Sequence, residues 1–203
     1  METAVPKHRI EALSDGVYAI AITLLVLELK LPGEALAPPA LPAALAALVP
    51  KVLVWLLSFW VMALFWLAQQ KHQRYVAALD RVGALIELAQ LALISLLPFS
   101  TALMGEHGDQ VVAAAIYSGH LLGLSLVSLA RVGWLASRPA LQGADFTIAT
   151  RRELLRRAAA VAVCAALAFV LAFVVPPWNM LALLLLVLMP LALRALTVPT
   201  SQR

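Results

Sequence analysis

Six long apolar stretches divide the chain, and polar or proline-containing segments separate them. The stretches lie near residues 12–31, 49–70, 82–104, 110–136, 154–175 and 178–196. A helix rises 1.5 Å per residue, so about 20 apolar residues cross the roughly 30 Å of hydrocarbon in a bilayer. The pattern predicts an all-α fold class in which residues 1–203 form a single domain, a polytopic membrane protein with six transmembrane helices.

Composition and the placement of charge agree with this prediction. The chain is 63% hydrophobic and 13% charged, with a mean hydropathy of +0.93, which excludes a water-soluble domain. Of its 15 lysines and arginines, all but Lys30 and Lys51 fall on one side of the predicted helices. The positive-inside rule therefore predicts a multi-pass protein of the cell (inner) membrane with both termini cytoplasmic.

The net charge of +4 is explained by this topology, so no nucleic-acid partner is expected. The arginine-rich run at residues 151–157 lies in the predicted loop before the fifth span, where it is expected to touch the anionic headgroups of membrane lipids. The alternative is a specific phospholipid-binding patch.

Motifs for enzyme chemistry are absent from the sequence. It contains no HExxH, no GxSxG and no Walker loop, and its four histidines are scattered without metal-ligand spacing. Its single cysteine, Cys164, lies in an apolar run and has no partner for an intrachain disulfide. We expect neither an enzyme nor a resident cofactor or metal.

The first apolar stretch differs from the others because polar residues come before its apolar part. Ser14 and Asp15 are followed by a stripe in which Leu24 and Leu27 fall within about 40° of Ile20 on a helix. Such a stripe faces a pore, lipid or another helix, and periodicity does not separate these alternatives. Asp15 points elsewhere and needs a partner; Arg9 is one candidate, unless both residues are interfacial anchors.

The residues of this stretch carry a resemblance to a known family. The motif Arg9-x-x-x-Leu13-Ser14-Asp15 resembles the first-helix signature Arg-x-x-x-Phe-Ser-Asp of the transmembrane protein 175 family, prokaryotic and lysosomal potassium channels. The resemblance covers roughly residues 9–106. It continues through Trp66, at the end of the second span, to a segment of the third span similar to the family's Leu-Pro-Phe-x-Thr, namely Leu97-Pro98-Phe99-Ser100-Thr101.

The resemblance implies a homotetramer of six-helix subunits in which four first helices surround a pore for potassium ions without a TVGYG filter. It further implies an apolar constriction at Ile20, with Leu24 and Leu27 as further apolar rings and Thr23 as a hydroxyl ring that contributes to selectivity. A polar network would hold the first helix against its neighbours. Its members would be Arg9, Ser14, Asp15, Trp66, Gln69 and Glu87.

Three of these positions depart from the family's pattern. Leu13 stands for the signature's Phe, Gln69 for an expected His, and Glu87 for an expected Asn. A carboxyl group in a membrane span is costly, so Glu87 should be neutral, paired or facing a cavity. His120 in the fourth span is a second ionisable group, for which we expect a hydrogen bond between helices, with a proton-linked role as the alternative.

We therefore predict a potassium-selective, leak-type ion channel. The main alternative is a proton-coupled secondary transporter that uses Glu87 and His120. The second alternative is a membrane scaffold that keeps the fold and does not conduct.

Overall fold

The computed structural model describes residues 6–31 and 41–176, together with residues 182 and 184. In this part of the chain five long helices are apolar enough to cross a membrane. They are α1 (Lys7–Leu24), α2 (Leu41–Gln73), α3 (Arg81–His107), α4 (Val111–Ala136) and α5 (Ile148–Leu171). The all-α fold is confirmed. Apart from residues 182 and 184, the sixth predicted helix, residues 178–196, lies outside the described residues.

The helix ends differ from the sequence prediction at three places. The helix α1 stops at Leu24 and tightens into a 3-10 turn, Leu25–Glu28. The helix α2 begins at Leu41 and continues through Pro50, which membrane helices tolerate when neighbouring groups satisfy the freed carbonyl. The helix α5 begins at Ile148, so the arginine-rich run belongs to its first turns and not to a loop.

The cause at α5 is local capping. The side chain of Thr147 accepts a hydrogen bond from the backbone N–H of Thr150 at 3.1 Å, which satisfies one of the free donors of the first turn. Glu153 also forms ion pairs with Arg156 and Arg157 along the helix surface. Hydropathy identifies only the part of a helix that lies in lipid, so the prediction that this polar run lies in a loop is wrong.

The helix α3 lies at the centre of the bundle and contacts α1, α2 and α4, while α5 packs on the far side of α4. Between these helices runs a hydrogen-bonded chain of buried side chains, in which the Thr101 hydroxyl donates to Ser58 at 2.9 Å and Ser58 pairs with Tyr117 at 2.8 Å. The largest fully buried apolar residues are Leu25, Met62, Ile94, Leu97, Leu121, Leu124 and Leu135.

The start of α1, the α2–α3 loop and the α4–α5 loop lie together at one end of the bundle, here called the basic end. Backbone hydrogen bonds join the two loops: Ala77 N–H donates to the Leu141 carbonyl at 2.8 Å, and Gly143 N–H donates to the Tyr75 carbonyl at 2.7 Å. A cleft lined by Lys7, Glu11, Gln73, Val76, Leu79 and Glu87 connects the start of α1 to this end.

Asp80 ties α3 to α4 at the basic end. Its carboxylate accepts hydrogen bonds from the backbone N–H of Gly83 at 2.7 Å and the indole N–H of Trp134 at 3.1 Å. Arg138 adds an ion pair at 2.9 Å. The Trp134 ring lies directly against Gly83, where a β-carbon would come within 2.6 Å of the ring atom Cη2.

This contact generates a prediction. Gly83→Ala should lower the stability of the folded protein by about 1 to 3 kcal/mol, the usual cost of overpacking, because the alanine methyl displaces the Trp134 ring and its bond to Asp80. Gly133→Ala is the matched control: nothing lies within 4 Å of its β-carbon position, so removing a glycine from a helix should stabilise by up to about 1 kcal/mol. Thermal unfolding in detergent measures both, and equal melting temperatures for the two variants would contradict the prediction.

Candidate functional site

The predicted stripe on α1 faces away from the rest of the chain. The exposed fractions are 62% for Ile20, 40% for Leu24 and 57% for Leu27. Thr23 is also exposed, and its hydroxyl donates to the Ile20 carbonyl at 2.8 Å. The residues that sequence analysis placed on one apolar stripe therefore share one open face of this chain.

The opposite face of α1 is narrow and buried. Ser14, Tyr18, Ala21 and Leu25 are spaced by four, three and four residues, which places them on one side of the helix. This side packs mainly on α3. This one side holds α1 against the other helices of the chain, and the stripe on the other side remains uncovered.

The exposed face of α5 offers a comparison within the same chain. In the second half of this helix and just after its end, the exposed residues are large and apolar: Val163, Leu167, Val170 and Phe173. This is the pattern of a surface that meets lipid. The open side of α1 instead mixes apolar residues with Thr23, Asp15 and Gly16, and nothing lies within 4 Å of the β-carbon position at Gly16. Small and polar residues are typical of surfaces where membrane helices meet one another or water.

Asp15 attaches α1 to α2. Its carboxylate oxygen Oδ1 accepts hydrogen bonds from the indole N–H of Trp66 at 3.1 Å and from the side-chain amide of Gln70 at 2.7 Å. Arg9 is exposed and makes no ion pair within residues 6–31 and 41–176. The structure thus joins Asp15 to Trp66 but not to Arg9.

Gln70, and not its neighbour Gln69, makes this bond to Asp15. Gln70 lies four residues after Trp66 and shares its helix face, whereas Gln69 points into the subunit interior and is fully buried. Neither end of the Gln69 amide has a hydrogen-bond partner in the described part of the chain, and the same holds for the buried Ser14 hydroxyl.

Glu87 does not contact α1's polar residues through a hydrogen bond either; its partner is Arg131 on α4. The two side chains are 3% exposed and form an ion pair with an N–O distance of 3.5 Å. Sequence analysis counted Arg131 only as a topology-setting cation. The signal that it missed was the position of this arginine inside the fourth apolar stretch, where a buried cation requires a partner.

His120 forms the hydrogen bonds between helices that the sequence predicted. Its ring atom Nδ1 lies 2.8 Å from the Ser100 hydroxyl and its Nε2 lies 2.9 Å from the Leu93 carbonyl, both on α3. Both ring nitrogens of His120 are therefore engaged by one neighbouring helix.

The described residues form five helices that are long and apolar enough to cross a membrane, and one of them, α1, is held by a narrow face and presents a mixed polar and apolar stripe outward. A sequence model described as the endosomal/lysosomal potassium channel TMEM175 family matches residues 9–98. The resemblance to the TMEM175 family is confirmed over these residues. Because this is a family of ion channels, the prediction that the chain is not an enzyme is confirmed.

Relatives of this chain are named as channels. A potassium channel of Streptomyces collinus is 38% identical over 58% of this chain, and one of Chamaesiphon minutus is 39% identical over 59%. The mouse endosomal/lysosomal proton channel TMEM175 is 25% identical over 74% of this chain. The aligned part of this chain spans 59% and 61% of the length of the two bacterial relatives and 30% of the mouse protein.

Solved structures extend the likeness over almost the whole chain. The crystal structure of a lysosomal potassium-selective channel TMEM175 homolog from Chamaesiphon minutus matches with a TM-score of 0.80 at 29% identity, covering 93% of this chain and 97% of that one. A variant of the potassium channel MtTMEM175 shares the fold, with a TM-score of 0.63 at 15% identity.

The contact of Asp15 with α2 generates a second prediction. Trp66→Phe keeps an aromatic ring but removes the indole N–H donor. It should lower the free energy of unfolding by about 1 kcal/mol, the usual value of a hydrogen bond between membrane helices. Trp60→Phe is the matched control on the same helix, since Trp60 is exposed and makes no hydrogen bond with the described residues. Thermal unfolding of each variant, repeated with Asp15→Ala, measures the coupling. If Trp66→Phe lowers the melting temperature equally with and without Asp15, the bond contributes nothing.

The buried ion pair generates a third prediction. Glu87→Gln should destabilise the protein by about 3 to 5 kcal/mol because it leaves the Arg131 charge uncompensated, and combining it with Arg131→Met should recover most of the loss. Glu106→Gln is the control, since the exposed Lys51–Glu106 pair at 3.4 Å should be worth less than about 1 kcal/mol. Thermal unfolding in detergent measures each variant. A double variant that unfolds at the same temperature as Glu87→Gln alone would show that loss of the ion pair does not cause the destabilisation.

Proposed function

We propose that the chain is one subunit of a potassium-selective, leak-type cation channel, a homotetramer in which four copies of α1 line the pore. Two kinds of support converge. Relatives that match 58% and 59% of the chain are named potassium channels, and the structural neighbour that covers 93% of it is named as a homolog of a potassium-selective channel.

The single observation that carries this proposal is the open stripe of α1. In a lone subunit it exposes Ile20 and Leu27 by more than half, together with a hydroxyl at Thr23. A stripe of this kind is completed by further copies of itself, whereas a stripe meant for lipid needs no hydroxyl. Around a fourfold axis, the stripe becomes a set of stacked rings.

In that assembly Ile20 forms the narrowest ring, and Leu24 and Leu27 form further apolar rings. Four apolar side chains that close on the axis offer nothing to the hydration shell of an ion, so the ring gates by dewetting. Thr23 forms the hydroxyl ring for selectivity. Since its hydrogen is donated to the Ile20 carbonyl, the oxygen lone pairs remain free to accept from water or to approach a cation.

Arg9, Ser14, Asp15, Trp66, Gln69 and Glu87 act in the bracing of α1 and do not touch the ion. The two bonds from α2 to Asp15 support this role directly. Gln69 and Glu87 act from the interior of the subunit, behind α1. Residues 1–203 form a single six-helix domain of this subunit.

The channel lies in the cell (inner) membrane with both termini and the basic end in the cytoplasm. The arrangement of Lys7, the α2–α3 loop and the arginine-rich first turns of α5 at one end supports this orientation. Arg151, Arg152, Arg156 and Arg157 then meet the anionic headgroups of the lipids on that side.

The transporter alternative needs Glu87 and His120 to share a path for protons. His120 bonds Leu93 and Ser100, whereas Glu87 lies six residues before Leu93, roughly 9 Å along the helix. Each has its own partner on a neighbouring helix, which favours a structural role for both. The scaffold alternative predicts a closed assembly with no flux.

Reconstitution into liposomes tests the proposed function. With a potassium gradient, a channel sets a membrane potential that follows the potassium ratio; a carrier gives saturable flux that depends on a proton gradient; a scaffold gives neither. The mass of the intact complex in the same preparation counts the subunits, and any number other than four would contradict the homotetramer.

The position of the constriction generates a fourth prediction. Ile20→Ser should raise passive cation flux at least several-fold because a hydroxyl ring stays wetted where an isoleucine ring does not. Val163→Ser is the matched control, since Val163 is as exposed as Ile20 but lies on α5. Both variants are measured in the same liposome assay at equal protein content. Unchanged flux and selectivity in a folded Ile20→Ser protein would remove Ile20 from the constriction.

A further inference from the structure

A buried cluster of polar side chains lies between α1, α2, α3 and α4, behind the open stripe of α1. Its members are Ser14, Tyr18, Gln69, His72, Glu87, Gln90, Ser128 and Arg131, which we call the interior polar cluster; every one is less than a tenth exposed. The ion pair of Glu87 and Arg131 and the bond from Ser128 to Gln90 at 3.4 Å form its core.

Contacts across the helices bring these residues together. The Tyr18 hydroxyl faces the Gln90 side chain and feels the charges of Arg131 and Glu87, yet it makes no hydrogen bond of good geometry. The His72 ring lies beside the main chain of Arg131, and its two nitrogens likewise make no hydrogen bond of good geometry. Ser14 is one helical turn before Tyr18, and Gln69 is one turn before His72.

The cluster contains most of the buried polar atoms that lack a protein partner. In the described part of the chain nine such side-chain atoms occur, and all except Trp55 Nε1 belong to this cluster. They include both ring nitrogens of His72, both ends of the Gln69 amide, Gln90 Nε2 and Arg131 Nε. Buried polar groups in folded proteins are almost always satisfied by protein or by bound water.

The chemistry of these atoms identifies the ligand class. Gln90 Nε2 and Arg131 Nε only donate, the Gln69 oxygen only accepts, and a neutral His72 does one of each. An anion would satisfy only the donors and a cation only the acceptors. The Glu87 and Arg131 charges already cancel, so neither ion is attracted. A ligand that both donates and accepts is required, and water is the smallest.

A route for water leads into the cluster from the basic end. The cleft lined by Lys7, Glu11, Gln73 and Leu79 reaches Glu87 and has a volume of about 10 Å³, close to what one water molecule needs. Charged groups flank its mouth on α1, where Lys7 and Glu11 form an ion pair at 3.3 Å. The cleft therefore lies next to the buried ion pair and has charged side chains at its mouth.

We propose that each subunit holds a small set of bound water molecules in the interior polar cluster, separate from the pore, and that these waters bridge α1 to the Glu87–Arg131 pair. They link Tyr18 and Ser14 of α1 to the amides of Gln69 and Gln90 and to His72. The site is a structural hydration site within one subunit, and it does not depend on whether the chain conducts potassium.

The full-length protein in lipid nanodiscs offers an internal comparison that tests this site. Tyr18 and Tyr117 are both almost fully buried, at 1% and 0% exposure, but the Tyr117 hydroxyl is bonded directly to Ser58. X-ray radiolysis generates hydroxyl radicals from bound water in place. Mass spectrometry should find Tyr18 oxidised several-fold faster than Tyr117, and equal rates would overturn the proposal.

Two further measurements separate bound water from transient opening. Hydroxyl radicals made in bulk solution by peroxide photolysis should leave Tyr18 as unlabelled as Tyr117, and labelling of Tyr18 by both sources would indicate exposure to solvent and overturn the site. Gln90→Leu removes the amide beside Tyr18 and should bring its radiolytic oxidation down to the rate of Tyr117. Oxidation unchanged in the folded variant would show that the cluster does not hold the water. The wild-type comparison stands even if that variant fails to fold.

Discussion

The hydrocarbon of a bilayer supplies no hydrogen bonds, and this constraint governs how the helices of this protein meet. Lipid tails are as apolar as leucine, so apolar packing alone does not determine which helices lie side by side. In this protein the polar contacts determine which helices are neighbours. Asp15 joins α1 to α2, the Glu87–Arg131 pair joins α3 to α4, and His120 joins α4 to α3 a second time. Each bond would be lost in a different arrangement of the helices.

The same constraint divides α1 into two halves with different attachments. Asp15 secures the half near the basic end through hydrogen bonds from α2. Beyond Tyr18 the fully buried residues are Ala21 and Leu25, and Ile22 is partly buried against the core. All three are apolar, and the helix then tightens into a 3-10 turn. Apolar contacts resist small rotations less than directed hydrogen bonds do. The half that carries Ile20, Leu24 and Leu27 is therefore the half that turns more easily.

The sequence alone was enough to predict where the helices lie, but not which residues form the polar contacts between them. Hydropathy located the five helices that the structure describes because length and apolarity are what a bilayer selects. It misjudged the starts of α2 and α5, since capping by Thr147 and continuation through Pro50 depend on local hydrogen bonds. The α1 stripe followed from helix geometry. Its uncovered state depends on what packs against the other side, which periodicity does not contain.

The partners of Asp15 and Glu87 show a second limit. A motif at fixed spacing indicated position 69, but the adjacent Gln70 shares the face of Trp66 and makes the bond. Arg131 counted as a loop cation because charge counting treats all arginines alike. A buried carboxyl group in one apolar span and a lone arginine in the next form a pair that sequence can suggest, since neither charge is tolerated alone in lipid.

The two halves of the chain relate differently to the family, and the polar contacts give a physical reason. The family's sequence pattern covers residues 9–98, which contain Asp15, Trp66, Gln70 and Glu87, whereas the structural likeness extends over 93% of the chain. Polar contacts between helices require particular residues at particular positions, so they leave a recognisable sequence. The helix α4 also makes such contacts, through Tyr117, His120 and Arg131. The buried residues of α5 are instead all apolar, namely Leu154, Ala162, Ala165 and Ala168. Many sequences satisfy apolar packing equally well, so α5 is the helix whose place in the fold requires the fewest particular residues.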